Sequence, residues 1–274
     1  MDTDIVAADF TRLKKMVYHL SGIDLKSGKE TLVVSRMHQR MRELIITEIT
    51  AYLNIIERDK TGTEATLLID ALSTNVTSFY RESSHFSLFE KWLRDAKARG
   101  LKRIRVWCAA AATGEEPWTL AMYIKHIFNE PGYDIALLAT DISTRALATA
   151  RQGIYPQESV ARLPEELRRR WFTTEADGMV VHNDLRPLVT FNRLNLVRPP
   201  YPMRGSFDVV FCRNVMIYFD QPTRQTVVDQ ICGLLKPGGL LCLGHAESLA
   251  GLQSDLKLVA PAAYQKSMTT ERTA

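Results

Sequence analysis

The sequence predicts an α/β protein: a mainly parallel, doubly wound sheet, preceded by a small all-helical domain and interrupted by an inserted β-hairpin. Three observations carry this. From residue 101 onward, near-continuous apolar runs such as "IRVWCA" (104–109), "IALLATD" (135–141) and "FDVVFC" (207–212) alternate with helical stretches. Strands buried on both faces have that pattern, because helices cover a parallel sheet above and below. Residues 1–72, by contrast, carry apolar side chains at spacings of three and four. The segment "WFTTEADGMVVHNDLRPLVTF", about 171–191, breaks the later rhythm with an "ADG" turn and reads as the inserted hairpin.

In chain order, "FTRLKKMVYHLSGI" and "TLVVSRMHQRMRELI" are amphipathic helices, the first closed by Gly22. "AYLNIIERD" and "TEATLLIDALS" extend the helical domain to residue 72, with Gly62 as the turn between them. The polar, weakly periodic "STNVTSFYRESSHF", 73–86, reads as a linker into a second domain spanning 87–268. Further strands are expected at 188–194 and 239–244, and helices at 117–129, 144–151 and 222–235; residues 269–274 read as a frayed tail.

With 274 residues and 46% apolar content, the chain is large enough for one big core and a smaller companion. No apolar run approaches membrane-spanning length, and "MDTDIVAADF" has acids where a signal peptide needs a basic start, so a cytoplasmic protein is expected. Cys108, Cys212, Cys232 and Cys242 form no CxxC pair and read as reduced, packed thiols, with no metal implied. Charge is uneven. Arg12, Lys14, Lys15, Lys26, Lys29, Arg36, Arg40 and Arg42 face only Asp24 and Glu30, a local +6 against +4 for the whole chain. A basic face of this size suits an anionic partner, or is simply a solvated helix face.

The stretch "IRVWCAAAATGEEPWTLAMYIKHI", 104–127, runs from strand through a small-residue loop into a helix. At the carboxyl end of a strand in a doubly wound sheet, such a loop is where ligands bind. Neither G-x-G-x-x-G nor a P-loop is present, and Glu115 and Glu116 stand where phosphates would go. Small residues flanked by carboxylates suit a nucleoside with a cationic tail, and S-adenosylmethionine is such a molecule. Asp141 in "LLATDIS" ends the next strand, where a carboxylate accepts ribose hydroxyls. Taken singly, these acids also read as helix-dipole complements or caps; their succession at consecutive strand ends favours the ligand. The later strand end "FDVVFCRNVMIYFD" lacks the N/D-P-P-Y/F cradle of enzymes that methylate base amines.

Five motifs in order, "STNVTSFYRE", "AAAATGEEPWTLAM", "LATDIS", "FCRNVMIYF" and "LKPGGLLCLGHAESL", closely resemble the chemotaxis receptor glutamate methyltransferases, the CheR family, over essentially the whole chain. The resemblance implies a class I S-adenosylmethionine-dependent methyltransferase fold and methyl esterification of glutamates on the cytoplasmic methylation helices of chemoreceptors. It implies cofactor-pocket roles for Asn75, Thr77, Arg81, Glu115, Asp141, Asn195, Leu196, Arg213 and Asn214, with Arg81 and Tyr218 as the active-site pair. Where many relatives read Ala-Gly-Cys, this chain has Ala109-Ala110-Ala111. His245 and Glu247 of "GHAES" read as strand-end structural groups.

The basic face from Arg12 to Arg42 is then expected to help dock receptor helices. The short "TTEADGMVV" turn argues against a receptor C-terminal peptide tether. A monomer is expected, with no nucleic acid and no direct membrane insertion. The competing readings are an RNA or small-molecule methyltransferase, against which the basic patch lacks interleaved aromatics, and a non-catalytic cofactor-binding regulator.

Overall fold

The computed structural model describes residues 5–25, 28, 30–203 and 205–268. The expected tail at 269–274, with Lys26 and Lys29 of the basic face, lies outside the described residues.

Four helices, α1 (Ala7–Ser21), α2 (Glu30–Glu43), α3 (Ile49–Arg58) and α4 (Thr63–Leu72), form the first unit. Their apolar faces meet in a core of Leu13, Val17, Met37, Met41, Tyr52, Leu53 and Leu68, all fully buried. A polar knot is built into it. Glu64 accepts two hydrogen bonds from the Arg40 guanidinium, at 2.9 and 2.7 Å, and a third from the Tyr52 hydroxyl at 2.8 Å. Helix α1 stops at Gly22, whose φ of 71° is left-handed; a Cβ there would lie 2.5 Å from Val197 Cγ1, so glycine lets α1 end against the second unit.

The second unit opens with α5 (Ser84–Ala98) and alternates β1 (Arg103–Cys108), α6 (Glu115–Ile127), β2 (Asp134–Asp141) and α7 (Thr144–Gln152). After the insertion come β6 (Val189–Arg193), β7 (Phe207–Cys212), α10 (Gln221–Leu234), β8 (Leu235–Leu243), β9 (Leu256–Ala260) and β10 (Ala263–Lys266). The seven-stranded sheet has the order β6-β2-β1-β7-β8-β10-β9. Strands β6, β2, β1, β7 and β8 run parallel, and β10 is antiparallel to both β8 and β9.

Burial explains the apolar runs. In β7, all six side chains are buried: Val209 and Phe211 pack with Phe86, Phe89 and Leu120 on one face, Val210 and Cys212 with Val227, Val228 and Ile231 on the other. The strand order reverses between β1 and β7, and loops leaving their carboxyl ends diverge there, opening a crevice.

Three details differ from the sequence reading. The insertion starts earlier: β3 (Ile154–Tyr155), α8 (Gln157–Val160), α9 (Glu165–Trp171), β4 (Phe172–Glu175) and β5 (Gly178–Val181) make a three-stranded antiparallel sheet ordered β3-β5-β4. A two-residue strand leaves no periodicity to read. Strand β8 begins at Leu235, through "KPGG", with a register irregularity between Phe207 and Val209 of its partner. Edge strand β9 carries largely exposed side chains, such as Leu258 and Val259, and so lacks the buried-strand pattern. Among the described residues, no helix is long and apolar enough to cross a membrane.

Candidate active site

The crevice at the β1/β7 divergence is a cavity of about 1030 Å³, counting its open mouth. Its walls come from both units: Ser21 and Ile23 after α1, the linker 73–78, the loop 109–112, the ends of β2 and β6, and the segment after β7. Asn75, Thr77, Arg81, Asp141, Asn195, Leu196, Arg213, Asn214 and Tyr218 all line it. Residues up to 198 apart in sequence are brought together because four parallel strands, β6, β2, β1 and β7, end side by side.

Glu115 is the exception, and the expectation for it is corrected: its neighbour Glu116 lines the cavity instead. The two acids open α6, where successive side chains diverge by about 100° around the axis. Glu115 turns back and accepts a hydrogen bond from the Thr113 hydroxyl at 2.6 Å. Burial pushes its carboxyl above the ordinary range. Glu116 faces the cavity floor and accepts from Arg213 Nη1 at 2.6 Å and from the Cys108 thiol at 3.1 Å.

The backbone around the cavity is strained. Tyr80, Glu82, Ala112 and Asn214 have φ of 59°, 55°, 45° and 57°, all left-handed without being glycine. Such conformations cost of order 1–3 kcal/mol each and cluster at working sites. At the loop, Gly114 (φ 102°) precedes α6, and a Cβ there would sit 2.6 Å from the Tyr155 hydroxyl and 2.9 Å from Ala150 Cα. Asp141, 8% exposed, accepts from the backbone N–H groups of Ala112 at 2.8 Å and Ser143 at 2.9 Å. Burial pushes its carboxyl up, against those two donors. The cap of α7 is Ser143, which accepts from Ala146 N–H, so Asp141 is not needed there.

Below the cavity lies a buried ion-pair cluster. Arg213, its side chain 1% exposed, bridges Glu116 and Glu82 and donates to the Arg81 carbonyl at 2.6 Å, with Phe86 beneath its guanidinium. Burial alone would lower its pKa; the two carboxylates outweigh that and keep it charged. Glu82 also accepts from Asn214 Nδ2 at 3.2 Å and from the His245 N–H at 3.0 Å. Burial pushes Glu82 up, but the bonds from Arg213 and Asn214 prevail and hold it below the ordinary range. Glu247 accepts from the N–H groups of Asn214, Val215, Ile217 and Gly244, fixing the turn after β7 as a strand-end structural group.

Glu82 has no role in the sequence reading, and Glu116 enters it only beside Glu115, as one of two acids after the first strand. The signal was there in "FYRESSHF" and in the paired "GEE", but only the three-dimensional partner, Arg213, tells which acid matters.

Asn195 spends its amide on the other unit, donating to the Leu20 carbonyl at 2.7 Å, and Asn75 points at Ser143 Oγ, 3.5 Å away. Arg81 is different. Its side chain is 38% exposed, one Nη holds the Val76 carbonyl at 3.0 Å, and Glu82 is 3.9 Å away. The Tyr218 hydroxyl engages no described partner, though its carbonyl accepts from Asp24 N–H at 3.0 Å. Around Glu116 and Asp141 the lining has no lysine and an Arg213 already neutralised by acids, while Arg81, the other lining arginine, stands on the linker side. That suits a nucleoside with a cationic tail and is hostile to a phosphate.

Comparison with known proteins agrees with this chemistry. Residues 8–73 match the family model described as CheR methyltransferase, all-alpha domain, and residues 75–264 match CheR methyltransferase, SAM (S-adenosylmethionine) binding domain. The chemotaxis protein methyltransferase of Escherichia coli K12 is 38% identical over 264 residues, covering 95% of this chain and 91% of the relative. That of Borreliella burgdorferi is 35% identical, covering 97% of each chain, and chemotaxis protein methyltransferase 2 of Pseudomonas aeruginosa is 36% identical, covering 93% and 92%. With both family domains present in order, the chain belongs to the CheR family of chemotaxis protein methyltransferases and carries that family's S-adenosylmethionine-binding domain.

Proposed function

We propose that this protein is a protein-glutamate O-methyltransferase, esterifying glutamate side chains on the cytoplasmic methylation helices of chemoreceptors. The observation that carries this is that one cavity is lined both by a part-exposed Arg81, with donors to spare, and by Tyr218, whose hydroxyl has no hydrogen-bond partner among the described residues. S-adenosylmethionine supplies, when bound, a methyl group on a positively charged sulfur. A glutamate acceptor has a pKa near 4.3 and is already ionised at neutral pH, so no general base is required. The work left to the protein is placement, worth roughly 7–11 kcal/mol in well-arranged systems.

Asp141 offers acceptors at the end of β2, and Asn75 and Thr77 close the linker side. Arg81 and Tyr218 orient the incoming carboxylate. Arg81 has to position without neutralising, since a pair too tight stabilises the ground state; its 38% exposure keeps water around the guanidinium and the pair weak. Leu196, buried under Tyr201, walls the other side and keeps water out.

The test is to incubate the protein with methyl-labelled S-adenosylmethionine and membranes containing chemoreceptors, then treat the labelled bands with mild alkali. Release as volatile methanol is the expected result; alkali-stable label would refute carboxyl esterification. In the same assay, Arg81→Ala should lose about 100-fold in turnover with unchanged thermal unfolding. Wild-type turnover in that variant would remove Arg81 from the reaction.

Docking is narrower than the +6 segment suggested. Arg12 is tied to Glu57 and Asn54, Arg36 to the Leu72 carbonyl, and Arg40 to Glu64 and Glu43. Lys14 shares the field of Glu30, while the Lys15 and Arg42 side chains make no hydrogen bond or ion pair among the described residues; all three remain at the surface for acidic receptor helices.

A further inference from the structure

Beside the ion-pair cluster, Glu82, His85 and His245 each bring one potential ligand atom within 4.8 Å of the others. His85 sits in the first turn of α5 with 1% exposure, and His245 follows β8 at the surface. Their rings meet edge to face, centroids 4.8 Å apart.

The tautomer of His85 is fixed by its surroundings. Nε2 lies 3.1 Å from the Pro261 carbonyl, which only accepts, so Nε2 carries the proton. Nδ1 therefore presents a bare lone pair. It is buried without a hydrogen-bond partner, and the atom facing it, 3.7 Å away, is a Glu82 carboxylate oxygen. Two acceptors turned toward each other in a dry place repel unless something positive lies between them.

We propose that Glu82, His85 and His245 form a binding site for a divalent transition-metal ion of the zinc type. The donor set is two imidazoles and a carboxylate, with a water completing four-coordination. The Pro261 carbonyl on the far nitrogen of His85 is the outer-shell contact that metal-bound histidines commonly have. Tetrahedral bonds of about 2.0–2.1 Å require donor atoms roughly 3.4 Å apart. Swinging the exposed His245 ring inward, where its Nε2 now lies 3.1 Å from Ser84 Oγ, closes the remaining gap.

The ion competes with the active site for Glu82. That carboxylate accepts from Arg213 Nη2 at 3.0 Å and Asn214 Nδ2 at 3.2 Å, both cavity-lining residues. Metal coordination withdraws it from them, leaving the buried Arg213 with Glu116 alone. Occupancy is therefore inhibitory; this half of the inference rests on the methyltransferase reading above, whereas the binding half does not.

The experiment is a titration of the full-length protein with Co²⁺ alone, followed by visible absorption. The expected result is a one-to-one complex with tetrahedral nitrogen/oxygen bands. His245→Ala, an exposed substitution that leaves the core untouched, should weaken it at least tenfold. Thiolate-to-cobalt charge-transfer absorption, or equal affinity in His245→Ala, would overturn the site. His85→Gln is the second variant, because its amide can still donate to the Pro261 carbonyl; unweakened binding there overturns the site as well. Methyl transfer with and without Zn²⁺ is then compared within each protein. The wild type should slow several-fold and His245→Ala should not. Cobalt binding without any zinc effect on the wild type would keep the site and discard the inhibition.

Discussion

Glu115 and Glu116 show how one bond along the chain decides a role. Both are buried at the start of α6, yet one satisfies Thr113 and the other anchors Arg213. The two glutamines should therefore behave differently. Glu116→Gln removes one of the two carboxylates that stabilise a guanidinium with 1% exposure, at a cost of about 3 kcal/mol. It should also impair S-adenosylmethionine binding, measured by calorimetry, because Arg213 lines the cavity. Glu115→Gln keeps an acceptor for the Thr113 hydroxyl and should cost under about 1 kcal/mol, with cofactor affinity within a few-fold of wild type. Equal losses in both variants would contradict the assignment of the acids. Sequence placed two carboxylates after β1; it had no means of telling which one Arg213, some hundred residues on, would claim.

At the scale of elements, the loop from β1 to α6 holds its shape through Gly114 and Ala112. The small-residue run was legible as a loop allowing close approach, and its alanines suffice because Ala112 takes the left-handed turn itself (φ 45°). Gly114 is the position that tolerates no side chain. Gly114→Ala places a Cβ 2.9 Å from backbone at Ala150 and forces φ near 102°, a combined penalty of about 3 kcal/mol. Thermal unfolding of the variant should show this, and an unchanged melting temperature would refute the contact. Within the helical unit, the Glu64 knot gives a pH prediction. Hydrogen bonding to Arg40, with help from Tyr52, holds the Glu64 carboxyl below its ordinary value in the folded protein. A depressed folded pKa contributes stability at pH above about 4.5 that is lost as pH falls through the folded value. Glu64→Gln should cost about 2 kcal/mol at neutral pH and flatten the acid limb of the stability curve. A parallel downward shift of that curve, with its slope kept, would assign the acid sensitivity elsewhere.

Over the whole molecule, the two units are joined by polar contacts: Asn195 to the Leu20 carbonyl, Arg198 to the His19 carbonyl, Tyr18 to Asp220, and Asp70 to the Thr144 backbone N–H. The cavity lies along that seam, so its linker wall depends on how the helical unit is seated. The surface basic residues Lys14, Lys15 and Arg42 stand on the same unit. Raising salt should therefore raise the apparent KM for receptor while leaving KM for S-adenosylmethionine nearly constant, since screening acts on exposed charges and little on buried ones. A receptor KM indifferent to salt would remove Lys14, Lys15 and Arg42 from docking.

The sequence by itself determined the layers: helices where apolar residues recur every three or four positions, and parallel strands where they run unbroken, as in "FDVVFC". It also determined that a carboxylate-bearing, phosphate-free ligand site follows β1 and β2, because strand ends, small residues and acids are local facts. Only the tertiary structure decided that Glu116 rather than Glu115 serves the cavity, that Arg12, Arg36 and Arg40 are spent inside the helical unit, and that His85 confronts Glu82 and His245. Those depend on contacts between residues far apart in the chain. The free energy of a buried charge or lone pair is set by what lies opposite it, and local pattern does not record that.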